Sequence, residues 1–250
     1  MSKIYEFPKS INNVNTHYCA GCGHGIVHKL VGQCMDELDI TGNTILVAPV
    51  GCAVLAYKYL KVDALEAPHG RAPAVATGIK RVHKDKMVIS YQGDGDLLAI
   101  GTAETVHAAN RGENITVIFI NNAIYGMTGG QMAPTSMANQ VTATSPKGRN
   151  PSDAGFPIKA CELINTLERP YYVERCSVHD VKHIIKTKAA IKKALQNQQE
   201  NKGYSFVEIL GMCPTNWGLE CQKAADWVKE AMIPYFPLKL FRDKGARVDA

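Results

Sequence analysis

The sequence predicts an α/β fold: an open, largely parallel sheet with helices on both faces. Two observations carry this expectation. Short apolar runs at residues 44–47, 88–91, 115–120 and 205–210 have the length and composition of buried strands. Between them lie stretches with apolar residues at helical spacing, so strands and helices alternate along the chain. No internal repeat, low-complexity segment or linker interrupts this alternation, and residues 1–250 are expected to form one domain.

The elements follow in order. An amphipathic helix is expected at residues 25–38, after a Gly-rich turn holding Cys19 and Cys22. The strand at 44–47 is closed by Pro49-Val50-Gly51-Cys52, which puts Cys52 at a strand carboxyl end. Residues 66–83 begin with a turn and continue as a small-residue helix, with His69-Gly70-Arg71 just before it. That position suits anion contacts for His69; a solvated turn is the competing reading. The strand at 88–91 is stopped by Gly93-Asp94-Gly95-Asp96. A helix follows with an apolar stripe on Leu97, Ile100, Ala103, Val106 and His107, ended by Arg111-Gly112. The strand at 115–120 then leads into Asn121-Asn122. Residues 127–157 are long, polar and rich in Gly, Ser, Thr and Pro, with a tip at 144–151, and read as a functional loop or lid. A helix at 158–166, a strand at 171–175 and a helix at 181–198 capped by residues 177–180 come next. The last expected strand, 205–210, delivers Cys213-Pro214, and a final helix at 220–233 precedes a basic tail.

Composition narrows the function. Hydrophobic residues make up 46% and charged residues 20%, enough for a core, and only the last ten residues suggest disorder. The net charge of +5 is spread without a dense basic run and aromatic content is 7%, which argues against nucleic-acid binding. A mildly positive surface suits an acidic partner. The first ten residues lack the apolar core of a signal peptide, and no apolar run approaches ~18 residues, so a cytoplasmic protein without membrane contact is expected. Eight cysteines in such a chain favour metal or redox use over a disulfide framework.

The chemistry concentrates at two turns. Strands 88–91 and 115–120 with the intervening helix form a strand–helix–strand unit, whose strands should lie parallel and deliver both turns to one crevice. Gly93 and Gly95 let backbone approach phosphate oxygens, and the next helix points free N–H groups at them. Asp94 and Asn122 offer the hard oxygen ligands that magnesium prefers. Their separation of 28 residues (122 − 94) is the length of one crossover. Two polar turns closing ordinary strands is the bland alternative. The paired thiols Cys19 and Cys22 admit three readings: half a zinc site, a redox pair, or two ligands of an iron–sulfur cluster.

The stretch from Gly93-Asp94-Gly95-Asp96 to Asn121-Asn122-Ala123-Ile124-Tyr125-Gly126-Met127 carries the thiamine diphosphate motif. In this extended form it resembles the beta subunit of 2-oxoacid:ferredoxin oxidoreductases, closest in look to the 2-oxoisovalerate and 2-oxoglutarate types. The resemblance runs from Cys19 to Gly218 and implies a thiamine diphosphate-binding fold of the diphosphate type, with an N-terminal cluster-binding segment and a C-terminal helical extension. It implies Mg2+ on Asp94, Asn122 and the Ile124 carbonyl. Cofactor contacts are implied for Gly51, Cys52, His69, Gly93, Asp94, Gly95, Asp96, Asn122, Ile124, Tyr125, Gly126 and Met127. A [4Fe-4S] cluster is implied on Cys19, Cys22, Cys52 and Cys213, although four thiolates also satisfy zinc. Cys34, Cys161 and Cys176 read as buried apolar residues, while Cys221 fits neither group.

The implied activity is oxidative decarboxylation of a 2-oxoacid with coenzyme A and ferredoxin, giving acyl-CoA, carbon dioxide and reduced ferredoxin. The glutamate that contacts the aminopyrimidine ring in thiamine enzymes is expected on an alpha subunit, with gamma and ferredoxin-like delta subunits as further partners. Two rivals remain open: a non-redox thiamine decarboxylase or carboligase subunit, and a non-enzymatic iron–sulfur or zinc subunit. Some relatives carry a lysine where this chain has Gly129-Gly130, which leaves the substrate carboxylate without an assigned contact. Lys147 and Arg149, at the loop tip, are the only cations between residues 127 and 157. Met127 and Ala133 around this tip are apolar, so a branched-chain acid such as 2-oxoisovalerate is favoured over 2-oxoglutarate, with pyruvate third.

Overall fold

The computed structural model describes residues 6–245. Seven strands form one sheet: β1 (Thr44–Ala48), β2 (Asp63–Glu66), β3 (Met87–Gly93), β4 (Thr116–Asn121), β5 (Tyr172–Ser177), β6 (Ser205–Leu210) and β7 (Lys239–Asp243). Their spatial order is β2-β1-β3-β4-β6-β5-β7, parallel except for β7, which runs antiparallel to β5. The chain steps from β1 outward to β2 and returns to lay β3 on the other flank of β1. The strand order therefore reverses between β1 and β3, and a crevice opens there beyond the strand carboxyl ends.

Helices cover both faces: α1 (Gly23–Glu37), α2 (Ala56–Tyr59), α3 (Ala72–Val82), α4 (Thr102–Arg111), α5 (Pro151–Ala154), α6 (Ala160–Asn165), α7 (Val181–Gln199), α8 (Pro214–Trp217) and α9 (Cys221–Trp227). The pleat sends alternate strand residues to opposite sides. Ile118, Ile120, Val207 and Ile209 pack on Val27, Val31 and Met35 of α1 and Ile191 and Leu195 of α7. Val117, Phe119 and Phe206 pack on Ala76 of α3, Ala108 and Ala109 of α4 and Ile164 of α6. Burial on both faces is why these strands read as continuous apolar runs. Cys34 and Cys161 are fully buried and Cys176 nearly so, as small apolar residues would be.

Three expectations change. The edge strands β2 and β7 escaped the reading because they carry charge and exposure, the composition that discourages edge pairing. β7 also takes residues 241–243 out of the stretch read as a disordered tail; residues 246–250 and 1–5, which hold half of that stretch and part of the leader reading, lie outside the described residues. The helix after Gly95 opens with a π-helical turn, Gly95–Ile100, before α4. That wider turn shifts the phase, so Leu97, Leu98, Thr105, Ala108 and Ala109 are buried while Ile100 is 49% exposed. Finally, the 127–157 loop does not swing free at its tip. Arg149 is buried and donates to the carbonyls of Ala133, Pro134, Ser136, Ala154, Gly155 and Phe156 at 2.8–3.2 Å. Among the described residues no helix is long and apolar enough to cross a membrane.

Candidate active site

The turn after β3 is built to hold a carboxylate. Asp94 is 3% exposed; its Oδ1 accepts from Gly95 N at 2.9 Å and its Oδ2 from Thr135 Oγ1 at 2.6 Å and Ile124 N at 3.2 Å. Even with three donors, burial pushes its carboxyl up to about 6, which marks a negative charge that lacks a cationic partner. The Asn122 amide lies 3.2 Å from Asp94 Oδ2 and 2.8 Å from Ile124 O. With its nitrogen inward it donates to both. Turned over, Asn122 Oδ1, Asp94 Oδ2 and Ile124 O form a three-oxygen cradle. Magnesium, with bonds of about 2.1 Å at right angles, sets neighbouring ligands about 3 Å apart, so this donor set fits the ion.

Local strain holds the cradle. Ala123, between Asn122 and Ile124, has φ +56° in the left-handed region, where a non-glycine residue is strained. Its N–H donates to Asn121 Oδ1 at 3.3 Å, and its carbonyl accepts from Ser136 Oγ at 2.6 Å and Gln140 Nε2 at 2.9 Å. Asn121 in turn donates to the fully buried Glu208 of β6 at 2.8 Å. The first asparagine of the pair is thus structural, and the second faces the cleft.

Asp96 ties the rim together. Its Oδ1 meets His69 Nδ1 at 2.6 Å, Gly70 N at 2.8 Å and Val50 N at 3.2 Å, and its Oδ2 accepts from Gln92 Nε2 at 2.6 Å. Both oxygens are committed to the protein, so Asp96 orients the loops after β1 and β2 and His69 with them. Gly95 is required by packing: a Cβ there would lie 1.9 Å from Tyr125 Cε1. A Cβ on Gly93 or Gly51 meets open space instead, toward the cleft. The cleft, about 120 Å³, is lined by Gly51, Cys52, His69, Gly93, Asp94, Gly95, Asp96, Asn122, Ile124, Tyr125, Gly126 and Met127 together. His24 also lines it, with Nδ1 3.1 Å from Tyr91 Oη. Every cofactor-contact residue expected from the sequence is therefore brought to one cavity.

The four thiols also converge. Cys19, Cys22, Cys52 and Cys213 line a neighbouring cavity of about 270 Å³. Gly23 N donates to Met212 O at 3.0 Å, and a Cβ on Gly23 would meet Gly211 Cα at 2.8 Å, so the Cys19–Cys22 turn is docked on the loop that carries Cys213. Burial pushes Cys22 up to about 11 and Cys52 to about 12, and raises Cys213, so these thiols are neutral until a metal displaces their protons. Asn216 Nδ2 donates to Cys213 Sγ at 3.4 Å and to Gly126 O at 2.9 Å, bridging the two cavities. Cys221 lies outside both; its Sγ packs on Gly21 and Ala20.

Thr135, His24 and Asn216 went unassigned from the sequence. His24 follows the cysteine pair by two residues and Asn216 follows Cys213 by three, which are local signals; Thr135 carries none. His179, Asp180 and His183 also cluster, but at the amino end of α7, where Asp180 caps the helix and holds His183.

Residues 47–209 match the family described as thiamine pyrophosphate enzyme, C-terminal TPP binding domain. The chain is also 37% identical to 2-oxoglutarate synthase subunit KorB of Methanocaldococcus jannaschii, over 85% of this chain and 75% of that one. The chain belongs to the thiamine pyrophosphate-binding subunits of the 2-oxoacid oxidoreductases. It is 53% identical to ketoisovalerate oxidoreductase subunit VorA of Methanothermobacter thermautotrophicus, over 99% of this chain and 54% of that one. It thus spans about half the length of that relative. The fold matches a 2-oxoglutarate:ferredoxin oxidoreductase from Magnetococcus marinus, solved with 2-oxoglutarate, coenzyme A and succinyl-CoA bound. That match has TM-score 0.77 and 25% identity and covers 98% of this chain and 87% of that one.

Proposed function

We propose that this chain, as a single domain, is the diphosphate-binding beta-type subunit of a 2-oxoacid:ferredoxin oxidoreductase. It would convert a 2-oxoacid, coenzyme A and oxidised ferredoxin into acyl-CoA, carbon dioxide and reduced ferredoxin. One observation carries the reading: Cys52, Asn122, Gly126 and Met127 line both the cleft and the thiol cavity, so the two sites share a wall. A decarboxylase without redox chemistry needs no such neighbour, and an electron-transfer scaffold needs no oxygen cradle.

In this reading Asp94, Asn122 and the Ile124 carbonyl hold Mg2+ and, through it, the diphosphate. Bound there, thiamine diphosphate supplies the carbanion nucleophile and the electron sink for decarboxylation. Gly93 and Gly51 leave room for the cofactor, and Tyr125, packed against Gly95, walls the cleft. Cys19, Cys22, Cys52 and Cys213 hold a [4Fe-4S] cluster that accepts single electrons. A redox cluster beside the cleft can take electrons from a reacting intermediate, which a zinc ion on the same four thiols cannot.

The remaining parts belong to partners. A pyrimidine-binding alpha subunit would supply the activating glutamate, alongside gamma and delta subunits, in a cytoplasmic complex. For the substrate, the relatives 53% and 52% identical carry the ketoisovalerate name. Arg149 is committed to backbone carbonyls, which removes it as a contact for a second substrate carboxylate. Both points favour 2-oxoisovalerate, with 2-oxoglutarate next.

Iron, sulfide and thiamine analysis of the purified complex, with kcat/KM for 2-oxoisovalerate, 2-oxoglutarate and pyruvate, tests the whole. Stoichiometric thiamine with about four irons per chain on the thiol set is expected. Thiamine without iron would leave only the decarboxylase reading. A preference for 2-oxoglutarate above about tenfold would overturn the substrate choice.

A further inference from the structure

We infer that the 127–157 loop is a fixed clamp on the cation site, with Thr135 and Arg149 as positioning residues for Asp94. The inference rests on the magnesium reading of Asp94 given above. Thr135 is fully buried, 41 residues from Asp94 in sequence, and its hydroxyl donates to Asp94 Oδ2 at 2.6 Å. A hydroxyl donor at that distance selects one orientation of the Asp94 carboxylate. Hydrogen bonds of this kind, behind a ligand and not to the ion, fix how the ligand is presented.

The segment that carries Thr135 is Ala133-Pro134-Thr135-Ser136, whose small side chains supply little packing. Arg149 holds it instead. One guanidinium nitrogen donates to the carbonyls on either side of Thr135, those of Ala133, Pro134 and Ser136, at 2.8–3.1 Å. The other two nitrogens donate to Ala154, Gly155 and Phe156, so the two ends of the loop are pinned to one buried group. Only a planar fork with five donors can do this; an ammonium cannot. The clamp has a second arm: Ser136 Oγ holds the carbonyl of left-handed Ala123, between Asn122 and Ile124. One loop therefore fixes both sides of the three-oxygen cradle.

The test uses the complete complex and measures thiamine diphosphate binding by isothermal titration at stepped free Mg2+. Thr135→Val keeps the shape and removes the hydroxyl. It should raise the Mg2+ needed for half-maximal binding about 10- to 100-fold, while the melting temperature in chelator stays near wild type. Thr135→Ser should restore the wild-type value to within about threefold, because the donor returns. Arg149→Met should shift the Mg2+ requirement the same way and open the loop to protease between residues 133 and 149, whereas Lys147→Ala at the exposed tip should do neither. A folded Thr135→Val complex with an unshifted Mg2+ requirement overturns the clamp. If Asp94→Ala also leaves that requirement unshifted, the magnesium reading falls with it; if Asp94→Ala abolishes binding, the reading stands and the clamp alone is refuted.

Discussion

Cys52 packs directly against Gly126: a methyl group at position 126 would lie 3.0 Å from Cys52 Sγ and 3.6 Å from Cys213 Sγ. The glycine is one of four residues that line both the thiol cavity and the cleft. Its backbone is not left-handed, so alanine is tolerated by the chain but crowds the Cys52 sulfur. Gly126→Ala should lower iron and sulfide content with thiamine binding largely retained. Full iron occupancy in the variant would show that the cavity has slack and the shared wall is not tight.

The two classes of cysteine should separate cleanly. Cys52→Ser and Cys213→Ser should abolish the visible charge-transfer absorbance of a cluster together with ferredoxin reduction. Cys34→Ser and Cys161→Ser, in the two cores, should keep both and cost about 1–2 kcal/mol in unfolding free energy. Equal spectral loss in both sets would refute the sorting.

Gly95 and Tyr125 should be coupled. Gly95→Ala drives a Cβ into the Tyr125 ring and should destabilise the protein by about 1–3 kcal/mol. Tyr125→Ala removes the obstacle, so the double variant should lose much less than the two single losses added. Simple additivity in denaturant titration would place the clash elsewhere.

Glu208 sits in the sheet with no exposure, accepting from Arg175 Nε at 2.8 Å, Asn121 Nδ2 at 2.8 Å and Cys161 N at 3.3 Å. Arg175 is fully buried too and also pairs with Glu162. Arg175→Met leaves a carboxylate uncompensated and should cost about 3–5 kcal/mol. Arg175→Met with Glu208→Gln should recover part of that loss, measured by thermal or urea unfolding. No recovery would mean that the charge is not the main term.

His28 supplies a pH dependence. It is 4% exposed among the rings of Tyr18, Tyr59 and Tyr91, and burial pushes its imidazole from the ordinary 6.5 down to about 4. The unfolded chain therefore binds a proton that the native one refuses between those values. Stability should fall as pH drops from 6.5 toward 4, by about 3 kcal/mol at most from this residue. His28→Phe should flatten that part of the profile relative to wild type; an unchanged slope would assign the loss to other groups.

What the sequence determined by itself was local. Apolar runs buried on both faces announced the central strands, and the 28-residue interval from Asp94 to Asn122 announced one crossover with both ends at the same crevice. Turn chemistry, strand burial and helix capping are written within a few residues, so they are legible without the fold. Tertiary structure decided the rest. Cys19 and Cys213 meet because two loops dock at Gly23 and Gly211, and Thr135 reaches Asp94 because Arg149 gathers carbonyls from both ends of a loop. The edge strands were silent because an edge needs charge where a centre needs apolar surface, and the π-helical turn at Gly95 displaced the buried stripe that a regular period implied. Such contacts depend on distances across the crevice, and no pattern along the chain encodes a distance that only closure of the sheet and its loops creates.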